Sequence, residues 1–169
     1  VERVVPGGKR SFVAMGTDGT FDPPTVAAMG IPADRQTVPL FPGLHGDGRS
    51  DLLLLRPGER RGLSFLSWLG SSFGEARVLD VTGTSVAAAD LDRDGDVDLV
   101  VANAAGKSTL FLRNRGDGRF ASPVEIPLGR TPAQLFVADV DGDTWADVVV
   151  TEAEGFVAVL RNRRTGAGG

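Results

Sequence analysis

Residues 90–98 read Asp90-Leu91-Asp92-Arg93-Asp94-Gly95-Asp96-Val97-Asp98 and run straight into Leu99-Val100-Val101. Carboxylates stand at positions one, three, five and nine of this run, and the glycine at six lets the backbone turn sharply. Hard cations such as Ca²⁺ take six to eight oxygens at about 2.3–2.6 Å, and a tight loop of alternating aspartates supplies them. The pattern returns at Asp139-Val140-Asp141-Gly142-Asp143-Thr144-Trp145-Ala146-Asp147, again ahead of an apolar run, Val148-Val149-Val150. Two metal-ligand spacings, each leading into a strand, mark a repeat protein.

Working outward, an earlier and weaker copy reads Gly43-Leu44-His45-Gly46-Asp47-Gly48-Arg49-Ser50-Asp51, followed by four leucines, Leu52 to Leu55. It keeps the acids at five and nine and the glycine at six, but has Gly43 at one and His45 at three. The three loops lie roughly 50 residues apart, the repeat length of a propeller blade. A second marker accompanies them. Leu110-Phe111-Leu112-Arg113-Asn114-Arg115-Gly116-Asp117-Gly118-Arg119-Phe120 reads as a strand, a Gly-Asp-Gly turn and an aromatic anchor. Looser copies run from Phe12 to Phe21 and from Leu63 to Phe73, and another begins at Leu160-Arg161-Asn162-Arg163. Each unit therefore reads as four short strands. In the middle unit they are expected at 85–89, 98–102, 108–113 and 123–128, with the Asp loop between the first two. Helix is a poor alternative, because no 3.6-residue stripe survives the Gly and Pro interruptions.

The bulk numbers agree. The sequence of 169 residues has 23 Gly and 10 Pro, many turns for its length. Net charge is −4, with the acid excess largely in the Asp loops, which argues against a nucleic-acid partner. There is no cysteine, hence no disulfide and no zinc–thiolate site. No apolar run approaches the ~20 residues of a membrane span. No charged-then-apolar leader opens the sequence at Val1, so any secretion signal is expected to have been removed or to lie outside these residues.

These residues resemble the FG-GAP and VCBS repeats of integrin-α-like β-propellers. The resemblance rests on Val86-Ala87-Ala88-Ala89 before the Asp loop, Asp90 to Asp98, Leu99-Val100-Val101-Ala102-Asn103 after it, and the Arg113-Asn114 and Gly116-Asp117-Gly118-Arg119-Phe120 turn. Leu135-Phe136-Val137-Ala138 with Asp139 to Asp147 repeats the match. It implies an all-β, propeller-type array of four-stranded antiparallel blades, about three to four of them, with Ca²⁺ held in the loop between the first and second strands. The ligands it implies are the side chains of Asp90, Asp92, Asp94 and Asp98 with the carbonyl of Asp96. In the later loop they are Asp139, Asp141, Asp143 and Asp147 with the carbonyl of Trp145. Thr144 replaces the glycine at six and is expected to strain the turn, since β-branched residues resist positive φ. The loop at 43–51 is expected to bind Ca²⁺ weakly or not at all. An EF-hand is excluded because position twelve would fall on Val101 or Val150, where a bidentate acid is required.

One repeat domain is expected over residues 1–162, in units of about 1–30 (partial), 31–82, 83–130 and 131–162 (partial), with a Gly-rich tail at 163–169. The sequence starts inside one unit and stops inside another. It is therefore expected to be part of a larger propeller or to self-associate to complete one, with a self-sufficient small propeller as the alternative.

Residues outside the loops carry blander expectations. His45, the lone histidine, is expected to be a solvated turn residue, and the Arg-Asn-Arg clusters at 113–115 and 161–164 solvated turn charges. Trp68 is expected to pack between blades and Trp145 against a neighbouring blade. With one histidine and no cysteine or tyrosine the sequence points to no triad, so no catalysis is expected. The function that follows is a calcium-binding, non-catalytic module of a secreted, cell-surface or periplasmic protein. It would use protein or glycan binding for adhesion, with Ca²⁺ as a structural clip; external Ca²⁺ near millimolar matches the affinity of such modules. The alternative is a scaffold within a secreted polysaccharide hydrolase or lyase whose catalytic residues lie elsewhere.

Overall fold

The computed structural model describes residues 3–5, 9–11, 38–40, 42–70 and 73–163. Among them lie thirteen strands and no helix, so no helix is long and apolar enough to cross a membrane. β1 (Arg3–Val5) and β2 (Lys9–Ser11) pair as a hairpin. β3 (Val38–Leu40), β4 (Leu52–Leu55), β5 (Leu63–Leu66) and β6 (Arg77–Leu79) form a four-stranded sheet in chain order. β7 (Ser85–Ala89), β8 (Asp98–Asn103), β9 (Ser108–Leu112) and β10 (Val124–Pro127) form the next. β11 (Pro132–Ala138), β12 (Asp147–Glu152) and β13 (Val157–Leu160) form a third, and all pairings are antiparallel. The four strands expected in the middle unit are all present, within one residue at each end. The all-β, propeller-type array stands; the copy expected from Phe12 to Phe21 lies outside the described residues.

β4 and residues 99–102 of β8 are unbroken apolar runs because they are buried on both faces, while β12 buries Val148 and Val150 and leaves Val149 half-buried. On β8, Leu99 and Val101 point toward the β3–β6 sheet and join Leu53, Leu55, Leu63 and Phe65. The alternate residues Val100 and Ala102 point the other way and join Leu135, Val148 and Val150. A period of two then divides one strand between two cores. The last strands are wetted instead: β10 is exposed along its length and β13 exposes Val157 and Val159. Adjacent sheets also touch at their first strands, where the Leu135 N–H donates to Ser85 Oγ at 3.1 Å. Phe120, the aromatic after the Gly-Asp-Gly turn, packs edge-on against Phe65 of the preceding sheet at 6.2 Å, the anchoring expected of it.

This division of burial makes a direct prediction. Leu99 is 0% exposed and Val124 58% exposed. Leu99→Ala should therefore cost about 3 kcal/mol, from lost transfer energy and a residual cavity. Val124→Ala should stay within about 0.5 kcal/mol. Urea denaturation of the two variants checks the contrast.

Candidate metal centres in the repeat loops

Each Asp loop leaves the first strand of a sheet and ends where the second begins. Asp98 opens β8, Asp147 opens β12, and Asp51 directly precedes β4. Going around so tightly needs left-handed backbone at two places. Positions four (Gly46, Arg93, Gly142) and six (Gly48, Gly95, Thr144) all have φ between +60° and +93°. Thr144 does carry the strained conformation expected of it, at φ 73°. The second strained position, Arg93 at φ 60°, is absent from the sequence reading. Its trace was glycine at position four in the other two loops.

The aspartates spend one oxygen on the loop's own backbone. The N–H groups of Asp94 and Asp96 donate to Asp92 and Asp94 at 3.3 and 3.0 Å, and those of Asp143 and Trp145 to Asp141 and Asp143 at 3.2 and 2.9 Å. Position one caps the turn from the other side. The Gly95 N–H donates to Asp90 at 3.1 Å, and the Thr144 N–H to Asp139 at 2.8 Å. The ninth aspartate is the most buried, with Asp51, Asp98 and Asp147 at 2%, 0% and 1% exposure. Its Oδ2 accepts from the N–H of position two (Leu44, Leu91, Val140) at 2.8, 3.2 and 3.0 Å. Its Oδ1 accepts from an N–H just past the third strand (Trp68, Asn114, Asn162) at 3.1, 2.8 and 2.7 Å.

The fold thereby gathers carboxylates from positions one, three and nine. Asp90, Asp92 and Asp98 carry oxygens all within 4.8 Å of one another, and so do Asp139, Asp141 and Asp147. Asp90 Oδ1 is buried with no hydrogen-bond partner in the structure. An orphaned carboxylate oxygen beside two further carboxylates fits a hard cation, so these clusters could hold a metal ion. Asp94 and Asp143 stand outside the two triplets, and the Asp96 side chain faces Gly116, where a Cβ would come within 2.7 Å of its Oδ2.

Arginines from the ends of the third strands balance part of the charge. Arg113 reaches Asp92 at 2.6 Å and Asp94 at 3.1 Å, and Arg161 pairs with Asp141. Asp94 is held below the usual carboxylate range by the Asp96 N–H and by Arg113. Asp141 is lowered chiefly by Arg161. Burial instead raises Asp92, and raises Asp98 to about 6 against the pull of the Asn114 and Leu91 N–H groups.

Two expectations about side chains are corrected. Asn114 is buried, because its Nδ2 donates to Leu44 O of the preceding sheet's loop at 2.8 Å and to Val97 O at 3.0 Å. Asn162 does the same one sheet later, to Leu91 O at 2.6 Å and Ala146 O at 3.2 Å. These asparagines join loop to loop, and the repeated Arg-Asn-Arg was their trace. His45 is not a solvated turn residue: its Nδ1 lies 2.9 Å from Asp51 Oδ2 and its Nε2 3.1 Å from Ser67 Oγ. Trp68 stacks edge-on against Phe73 within its own sheet at 4.9 Å. Trp145 does meet a neighbouring blade, through Arg93, whose guanidinium lies 4.5 Å over the indole and bonds Thr144.

The FG-GAP-like repeat profile matches residues 44–101 and again 90–150, well over half of the sequence. The chain belongs to the FG-GAP-like repeat family. Both matched spans run from one Asp loop through the loop and second strand that follow it, so the FG-GAP-like repeat overlaps the unit that Asn114 and Asn162 tie together. Among solved structures, twelve chains match. One is a lectin of Agrocybe aegerita described as specifically recognising non-reducing terminal N-acetylglucosamine. The similarity has a TM-score of 0.63 at 22% identity and covers 92% of this chain and 47% of that one. The chain thus spans about half the length of that lectin, and the likeness is one of fold. No curated protein matches significantly.

Two substitutions test the loop geometry. Asn114→Ala strips four hydrogen bonds from backbone groups, one buried and three part-buried, and should cost about 3 kcal/mol. Thr144→Gly should stabilise by about 1 kcal/mol, because left-handed backbone costs an L-residue about 1–2 kcal/mol and glycine's extra unfolded entropy returns part. Denaturant midpoints give both signs.

Proposed function

We propose that this chain is a calcium-stabilised binding module of an extracellular, cell-surface or periplasmic protein, and that it engages a glycan or protein partner. The observation that carries the reading is the pair of aspartate triplets, with Asp90 Oδ1 buried and unpartnered in the first of them. Asp90, Asp92, Asp94 and Asp98 would hold one Ca²⁺, and Asp139, Asp141, Asp143 and Asp147 the other. By the family resemblance, the carbonyls of Asp96 and Trp145 complete the sets. A bound Ca²⁺ supplies positive charge where like charges are crowded and fixes the entry into the second strand. It also favours the ionised form of Asp98, which burial alone disfavours. Gly43 and His45 leave the first loop without the oxygens for a third ion.

The glycan reading is supported by the fold shared with a lectin. The location is supported by ligand chemistry suited to millimolar Ca²⁺. Completion of a propeller by further blades, from a longer chain or a second copy, is supported by the exposed Phe136 and Val159 on the last sheet.

Titration calorimetry should find two Ca²⁺ per chain, falling to one in Asp90→Asn or Asp139→Asn and staying at two in Asp47→Ala. Unchanged stoichiometry in the first two variants rejects the ligand assignment. A site filled at 100 times its Kd adds about 2.7 kcal/mol, and 1 kcal/mol moves Tm by about 2–4 °C at this size. EGTA should therefore lower Tm by about 10 °C. A glycan array in millimolar Ca²⁺ should show binding that EGTA abolishes; an array with no binder, alongside a protein pull-down with none, contradicts the partner assignment.

A further inference from the structure

We infer that Ser67 is an activated nucleophile, with His45 as its general base and Asp51 as the group that orients the base. It would accept an acyl group from small uncharged esters and pass it to water. The reading rests on the first loop alone and goes beyond the proposed binding function.

The same two positions differ together in this loop. Where the other loops place an acid at position three and an arginine just past the third strand (Asp92 with Arg113, Asp141 with Arg161), the first has His45 and Ser67. The result is a relay, with Ser67 Oγ 3.1 Å from His45 Nε2 and His45 Nδ1 2.9 Å from Asp51 Oδ2. Those separations suit a nucleophile, a base and an orienting acid. An ionised carboxylate only accepts, so the Nδ1 facing Asp51 carries the proton. Nε2 is then the acceptor, and the Ser67 hydroxyl donates to it. Asp51 cannot swing away, because the Leu44 and Trp68 N–H groups hold it at 2% exposure.

The imidazole is fixed on its other sides too. Phe65 lies 5.9 Å away between ring centroids, and a Cβ at Gly118 would fall 2.8 Å from Nε2, so only glycine there leaves room for the ring. His45 keeps 23% of its side chain exposed and Ser67 is half-buried, so both reach solvent. Gly43 supplies no carboxylate at position one. Leu69, two residues along the chain and 64% exposed, supplies apolar surface for a small acyl or aryl group.

The chemistry balances with water as the only co-reactant. Ser67 Oγ bonds to the ester carbonyl carbon while its proton passes to Nε2. The carbonyl–alkoxy bond breaks, and the leaving alcohol takes that proton. Water then attacks the acyl-serine, giving one proton to Nε2 that returns to Oγ as the acid departs.

The experiment treats the full, calcium-loaded chain with a fluorophosphonate probe, locates any adduct by peptide mass spectrometry, and follows p-nitrophenyl acetate hydrolysis. The adduct is expected on Ser67, absent in Ser67→Ala, and at least 100-fold slower in His45→Gln, the minimum that a general base contributes. Hydrolysis should fall in parallel, while calcium stoichiometry and glycan binding stay as in the parent. An unlabelled Ser67, an adduct on another serine, or equal labelling in folded His45→Gln overturns the inference and leaves His45 a structural clip. If His45→Gln does not fold, the site of the adduct on the parent chain decides alone.

Discussion

A buried carboxylate at the start of the second strand carries the architecture. Asp51, Asp98 and Asp147 each collect one N–H from the loop behind and one from the chain beyond the third strand. Taking a carboxylate out of water costs several kcal/mol, and only charge-assisted hydrogen bonds offset it. One side chain therefore fixes three pieces of backbone that local propensity would leave free: the loop, the strand entry and the strand exit. The upward shift at Asp98 shows that the offset is incomplete. The proposed Ca²⁺ would supply the remainder beside Asp98, and in the first loop the imidazole of His45 stands beside Asp51.

From this point order spreads sideways. Asn114 and Asn162 are set in place by their own N–H bonds to Asp98 and Asp147, and their amides reach back to the carbonyls of Leu44 and Leu91. The residue that the ninth aspartate holds at one end is thus tied to the next sheet at the other. Packing between sheets adds the apolar part through β8, whose alternate residues serve two cores. Loop and core therefore depend on one another across the sheet boundary.

Much of this was legible in the sequence, because metal-loop spacing and strand periodicity are local. Asp90 to Asp98 and the run after it specify a turn and a doubly buried strand within a dozen residues. The strained Thr144 was legible for the same reason. What escaped reading were polar contacts whose partners lie far along the chain. The amide of Asn114 finds its acceptor 70 residues away at Leu44, and only the recurrence of Arg-Asn-Arg in the next repeat hints at it. His45 was misread because its partners, Asp51 and Ser67, take the places of a metal ligand and an arginine in the other repeats. Comparison between repeats, rather than inspection of one, reveals such substitutions.

Amide hydrogen exchange, residue by residue, tests the central claim most directly. If the ninth aspartates hold the array, the N–H groups of Leu44, Leu91, Val140, Trp68, Asn114 and Asn162 should exchange as slowly as those of β8, although all six lie outside the strands. Exchange at the rate of the exposed Asp117 amide in the Gly-Asp-Gly turn would contradict the account.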